Sequence, residues 1–209
     1  MNVPREDHEF QRRAGLRRFT GKYPNENVRK AVYEAVQRLT FDDAMVTITD
    51  VPGDGSCFFH SLAMYIHTFH GEQGVTADAL RQKVVGFIKD TYVDSRSFAQ
   101  WFEESVDDGS TRFKCPERDT YLRELAKSST WADLRVVVAM SHCLRRTINV
   151  VTYSTETEQV IVTALNSDDY GSDRTQGLLV VYNGRDHYHA VHKTPTTPVK
   201  KARMGPQPQ

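Results

Sequence analysis

The chain has no excess of either charge. Its 27 Lys and Arg balance 27 Asp and Glu over 209 residues. That excludes the strongly basic footprint of a general nucleic-acid binder and the lopsided charge of a mostly disordered chain. Cysteine is scarce: there are three, at 57, 115 and 143. So odd and sparse a set does not build the disulfide scaffold of a small secreted domain, and free thiols in a reducing compartment are expected. No apolar run approaches the roughly 20 residues of a membrane span; the longest, RVVVAM and LLVVY, are core-sized. The start, MNVPREDHEFQRR, carries no apolar stretch of the kind that directs secretion. The expectation is a cytoplasmic protein, with neither membrane nor nucleic acid as partner.

What is present suits one hydrophobic core. Residues 1–24 are polar and locally basic, which reads as a solvated arm. After Asn25, the residues Val28, Ala31, Val32, Ala35, Val36 and Leu39 fall at the spacing of one buried helix face. MVTITDV (45–51) alternates and is β-branched, a strand. CFFHSLAMYIHTF (57–69) predicts a buried helix stopped near Gly71, and Thr76 caps the next. Phe98, Trp101 and Phe102 predict a short helix; Tyr121, Leu122 and Leu125 predict another. Thr130 with Asp133 predicts a capping box that opens a helix to about Leu144. INVVTYS, QVIVTAL, GLLVVYN and HYHAVH read as strands. The tail beyond 193 holds four of the eight prolines and no acid, and reads as a flexible tail or linker over 194–209. The fold class is α/β (α+β): helices on a modest sheet in which strands from both ends of the chain meet, over residues 25–193.

The sharpest local feature is PGDGSCFFHS, residues 52–61. A strand runs into a glycine-rich turn, and Cys57 opens a helix. The unpaired N–H groups and partial positive charge of a helix start favour thiolate over thiol, so a lowered Cys57 pKa is expected. The same amides, with those of Asp54, Gly55 and Ser56, could hold an oxyanion. A nucleophilic thiol needs a base, and NGRDHYHAVH supplies candidates. His187, His189 and Val191 share one strand face. His60, His67 and His70 follow Cys57 too closely along its helix to serve, and His142 and His192 read as bland.

PGDGSCFFHSL resembles the nucleophile segment of the ovarian-tumour (OTU) family of cysteine deubiquitinases, which shows Asp-Gly-x-Cys followed by aromatics. DHYHAV resembles its C-terminal His-aromatic segment. YLRELAKSSTWADLRVVVAMSHCLRRTINVV resembles the block between them, and the three come in the family's order over roughly residues 45–193. The resemblance implies an OTU-like cysteine protease fold, a small central sheet flanked by helices with a helical arm at about 75–128. It implies Cys57 as nucleophile, His187 as general base, and Asp54 as the acid that shapes the oxyanion turn or orients the imidazole. His189 stands where the family usually has Asp or Asn, so the group that orients His187 stays open among His189, Asp54 and another acid such as Asp50. Trp131 matches a position expected in the core.

The resemblance further implies a monomeric thiol isopeptidase. It would act on ubiquitin, polyubiquitin chains or other ubiquitin-like modifiers in the cytosol, that of a host if the source is a virus or bacterium. It would need no cofactor and no metal. Glu103, Glu104, Asp107, Asp108, Asp168 and Asp169 are candidates to meet the two arginines of the ubiquitin tail. The alternative from a different class is a catalytically dead ubiquitin-binding module, which His189 could support. A papain-like protease would need an Asn downstream of the His, and none follows Asn183. A zinc site of Cys57, His187 and His189 shows no fourth ligand in the sequence.

Overall fold

The computed structural model describes residues 25–40, 45–104, 115–154, 157–166, 177–184 and 186–193. The expected basic arm (1–24) and Pro-rich tail (194–209) lie outside the described residues.

Helix α1 (Glu26–Leu39) starts because Asn25 Oδ1 accepts the Val28 N–H at 3.0 Å, a cap worth about 1 kcal/mol. Val28, Val32, Ala35, Val36 and Leu39 bury one face of it against the sheet. Among the described residues the sheet has five strands: β1 (Val46–Thr49), β2 (Ile148–Ser154), β3 (Gln159–Leu165), β4 (Leu178–Tyr182) and β5 (Tyr188–Lys193). They lie in the order β1-β5-β4-β2-β3. Only β2 and β4 run parallel; the other neighbours are antiparallel. β2 and β4 are buried at every residue, which is why β4, LLVVY, reads as a continuous apolar run rather than an alternating one. The first strand and the last are partners, as expected for strands from both ends meeting.

Helix α2 (Cys57–Tyr65) is the central helix. It packs on β5, β4 and α3 (Ala77–Thr91), and Phe58, Phe59, Leu62 and Tyr65 are wholly buried. It continues through a π-helical turn, Ile66–His70, until Gly71 ends it at φ 70°, a conformation that favours glycine. Thr76 caps α3 as expected, accepting the Ala79 N–H.

The arm follows with α4 (Ser95–Glu104) and α5 (Arg118–Leu125). Its share of the main core is aromatic. Tyr92 stacks on Trp101 at 4.9 Å, Phe98 and Tyr121 pack against Trp101 and Phe102, and Arg135 lies 3.8 Å over the Phe102 ring. Such pairs add roughly 0.5–1.5 kcal/mol each beyond burial.

α6 (Leu134–Leu144) begins later than the capping box predicts. Asp133 is itself the cap, accepting the Val136 N–H at 3.0 Å, while Thr130 Oγ1 donates back to the Glu124 carbonyl. Trp131 is partly buried and stands outside the core cluster. No helix among the described residues is long and apolar enough to cross a membrane.

Candidate active site

The β1–β5 pairing builds the site. Thr49 is opposite Ala190 in an antiparallel register. One residue further along β1 therefore sets Asp50 opposite His189, with His187 two positions on along the same face. The side chains meet. His187 Nε2 donates to Asp50 Oδ1 at 2.7 Å, and His189 Nδ1 lies 3.5 Å from the same oxygen. The two imidazoles stand edge to face, 5.0 Å apart. Both are largely buried while the Asp50 side chain is 79% exposed. Burial, then the neighbouring His187, hold the His189 pKa down against the pull of Asp50.

Asn183 presents His187. Its Oδ1 accepts the N–H groups of Asp186 and His187, both at 3.0 Å, and its Nδ2 donates to Asp186 Oδ1. The β4–β5 connection is thus closed by one buried side chain. With Nε2 on Asp50, Nδ1 is the ring nitrogen left for a thiol.

Cys57 is the first residue of α2, 4% exposed, and packs with Val51, Tyr188 and Ala190. It therefore sits against the residue next to His187. The expected low thiol pKa is not found. Burial pushes the Cys57 thiol up; the N–H groups of Tyr188, Phe58 and Cys57 itself pull the other way without prevailing, and Asp54 adds to the rise. Amide donors are present as the helix start promised, but desolvation of the thiolate outweighs them.

Asp54 shapes the turn and does not touch His187. Its Oδ1 accepts the Ser56 N–H at 2.9 Å, and His60 Nε2 donates to Oδ2 at 3.4 Å. Burial works against ionisation, yet the Ser56 amide and His60 keep the Asp54 carboxyl below its usual range. The Ser56 N–H is thereby taken, so this amide of the turn faces Asp54 rather than a substrate. Gly55 sits at φ 93°, and a Cβ there would stand 2.5 Å from the Ser129 carbonyl carbon, so only glycine fits. Gly53 lies close to the His187 ring, its notional Cβ 4.0 Å from Cε1.

One residue of the site was not anticipated. Arg81 of α3 is wholly buried under the turn. It donates to the carbonyls of Gly55 (2.9 Å), Leu125 (2.8 Å) and Ser128 (3.4 Å) and to Ser56 Oγ (3.0 Å), and its guanidinium lies 4.4 Å over Phe59. Its signal was in the periodicity: Ala77, Leu80, Arg81, Val84 and Ile88 form one face, with a cation in an apolar slot.

The structure thus brings Asp50, His187 and His189 together, sets Cys57 against Tyr188, the residue next to His187, and holds Asp54 in the turn before Cys57. Cys115 and Cys143 are free thiols elsewhere. Of the acidic candidates for the ubiquitin tail, Glu103 is an exposed residue of α4 and Glu104 is the last residue of that helix, while Asp107, Asp108, Asp168 and Asp169 lie outside the described residues.

Comparisons with known proteins point to one family. The family of OTU-like cysteine proteases matches residues 52–192. The chain is 27% identical over 149 residues to a protein of Invertebrate iridescent virus 3 named "Putative ubiquitin thioesterase 232R". It is 28% identical over 152 residues to the ovarian tumor domain-containing deubiquitinating enzyme 4 of Arabidopsis thaliana. These alignments take in 71% and 69% of the chain but only 16% and 43% of the two relatives. The crystal structure of an OTU deubiquitinase from Wolbachia pipientis wMel bound to ubiquitin superposes with a TM-score of 0.54 at 19% identity, over 71% of this chain and 96% of that one.

Proposed function

The chain belongs to the OTU-like cysteine proteases, and from that membership we propose that it is a deubiquitinase. It hydrolyses the isopeptide bond between the C-terminal glycine of ubiquitin, or of a ubiquitin-like modifier, and a lysine side chain. The observation that carries the reading is one arrangement. A buried thiol opens the central helix against Tyr188, and the adjacent His187 is held through Nε2 by Asp50.

The roles follow from the chemistry. Burial raises the Cys57 thiol pKa, and His187 Nδ1 takes its proton during attack as a general base. Asp50 fixes the tautomer and steadies the imidazolium that forms. Cys57 attacks the glycine carbonyl, and the N–H groups of Cys57 and of the Asp54–Gly55 segment receive the oxyanion. His187 then protonates the departing lysine amine and activates water against the thioester. Asp54 and Arg81 are positioning residues that keep the turn in shape. The catalytic unit spans residues 25–193, acts as a monomer in the cytosol and takes polyubiquitin chains as substrates. The helical arm makes the partner contacts.

The test is reaction with a ubiquitin carrying a C-terminal electrophile, followed by turnover of diubiquitins of every linkage. Wild type should be labelled one to one and cleave at least one linkage. Cys57→Ala should do neither, and Cys115→Ser and Cys143→Ser should do both. An unlabelled wild type would return the chain to the ubiquitin-binding class.

A further inference from the structure

One carboxylate is enough to hold one imidazole, yet here a second imidazole shares the same oxygen. His187 Nε2 and His189 Nδ1 lie 2.7 and 3.5 Å from Asp50 Oδ1. One ligand atom from each of the three residues can be chosen so that all lie within 4.8 Å of one another. Zinc binds imidazole nitrogen and carboxylate oxygen at about 2.0–2.2 Å in a tetrahedron, which sets its donors about 3.3 Å apart. The two distances bracket that spacing. The rings stand at 79° to each other, so their lone pairs approach from different directions, as two ligands of one ion must. Asp50 is open to solvent, which gives an ion a way in and leaves further coordination positions for water. All three donors stand on or beside the β1–β5 pair, so the backbone register preorganises them. The sequence offered His187 and His189 as zinc ligands only together with Cys57, because Asp50 reaches the histidines only through strand pairing.

We propose that Asp50, His187 and His189 form a reversible inhibitory site for a divalent late first-row transition metal ion, zinc being the redox-inert member of that class. The inhibitory part rests on the reading of His187 as general base. A neutral imidazole has one lone pair. Zinc on Nε2 takes it and leaves the ring proton on Nδ1, so His187 can no longer accept the proton of Cys57. The proton that Nε2 had donated to Asp50 moves to Nδ1 of the same ring, and no covalent bond to substrate forms. The usual family residue at 189, Asp or Asn, would offer no second imidazole, so the histidine is what completes the set.

The test separates the site from the activity. In the full chain carrying Cys57→Ala, Cys115→Ser and Cys143→Ser, which removes competing thiols, zinc is titrated against a chromophoric chelator. One zinc per chain is expected, and adding His189→Asn or Asp50→Asn should weaken binding by at least about tenfold. His189→Gln serves if His189→Asn melts early. In the thiol-intact chain, zinc should inhibit cleavage of a ubiquitin substrate and EDTA should restore it. Sensitivity in His189→Asn, normalised to its own zinc-free rate, should fall by at least about tenfold. Cleavage of ubiquitin without zinc binding, or binding unchanged in both variants, overturns the metal site and leaves the proposed function standing. Zinc binding through these residues in a chain that never cleaves overturns the proposed function and the inhibition, and leaves the metal site.

Discussion

At the scale of single residues, the proposed mechanism distributes the work unevenly between two histidines and two aspartates. His187 carries the proton, so His187→Ala should lower kcat about 10²–10⁴-fold. Asp50 acts through His187. Its exposure weakens the electrostatic part of that action, so Asp50→Ala should cost at least about tenfold but less than the roughly 10⁴-fold of a buried triad carboxylate. KM should hardly move. The informative variant is Asp50→Ala/His189→Asp. It returns a carboxylate to the same face from the opposite strand and should recover part of the loss. Steady-state kinetics on one ubiquitin substrate decides this: an Asp50→Ala with wild-type kcat, or a double variant no better than the single, would remove Asp50 from the mechanism.

The thiol offers a second test at this scale. Burial raises the Cys57 pKa, and the reactive form is the thiolate. In His187→Ala, where no imidazole shares the proton, alkylation of Cys57 by iodoacetamide should keep accelerating with pH beyond the ordinary thiol value of about 8.5. A midpoint below that value would mean that the helix start wins over desolvation after all.

At the scale of elements, the turn from β1 to α2 is held from outside itself. Ser56 Oγ and Arg81 both reach the Leu125–Ser129 segment, so α3 and the end of α5 brace the segment before Cys57. Arg81→Met removes one guanidinium and leaves the carbonyls of Gly55, Leu125 and Ser128 short of a donor. At about 1–3 kcal/mol for each buried unsatisfied group, a loss of about 2–4 kcal/mol is expected. Gly55→Ala meets the Ser128 and Ser129 backbone and demands a positive φ, costing about 2 kcal/mol or more. Thermal melts read both losses. The functional part is read below the melt, where the surviving folded protein should still show reduced turnover because the amides beside Cys57 have shifted. A stable and fully active Arg81→Met would show that the brace is dispensable.

This scale also shows what could be read from the sequence. Helices and strands were legible wherever apolar spacing and a capping side chain agreed, as at Asn25 and Thr76. The α6 start was misplaced because Thr130 and Asp133 can each cap, and only the chain's path from α5 turns Thr130 back to Glu124. Cys57 stood out by local chemistry, while His187 was set apart from His189 only by the family resemblance. Asp50 was named among the acids that could orient the base, but singling it out needs the Thr49–Ala190 register, which brings Asp50 to His187, 137 residues away in the chain. The sign of the Cys57 shift was not legible, since the amide donors are local while the burial that outweighs them comes from β5.

At the scale of the whole molecule, stability should be squeezed from both ends of the pH range. Burial, followed by Arg146, holds the His70 pKa below its ordinary value, and burial does the same at His189. For a base whose folded pKa is depressed, the unfolded chain binds the proton first. The contribution is therefore intact above the unfolded value of about 6.5 and is lost as pH falls below it. All three thiols are displaced the other way: burial raises Cys57, Cys115 and Cys143. An acid with a raised folded pKa ionises first in the unfolded chain, so its contribution is intact below about 8.5 and is lost as pH climbs beyond it. The melting temperature should therefore be highest between about pH 6.5 and 8.5 and fall on both sides. The two limbs have different owners, which makes the argument testable. His70→Gln should flatten the acid limb and leave the alkaline limb alone. Cys115→Ser with Cys143→Ser should do the reverse. Scans of the parent chain and both variants from pH 5 to pH 10, spanning both windows, read the outcome directly. An acid limb equally steep in His70→Gln would assign the acid loss to the carboxylates and to His189 instead.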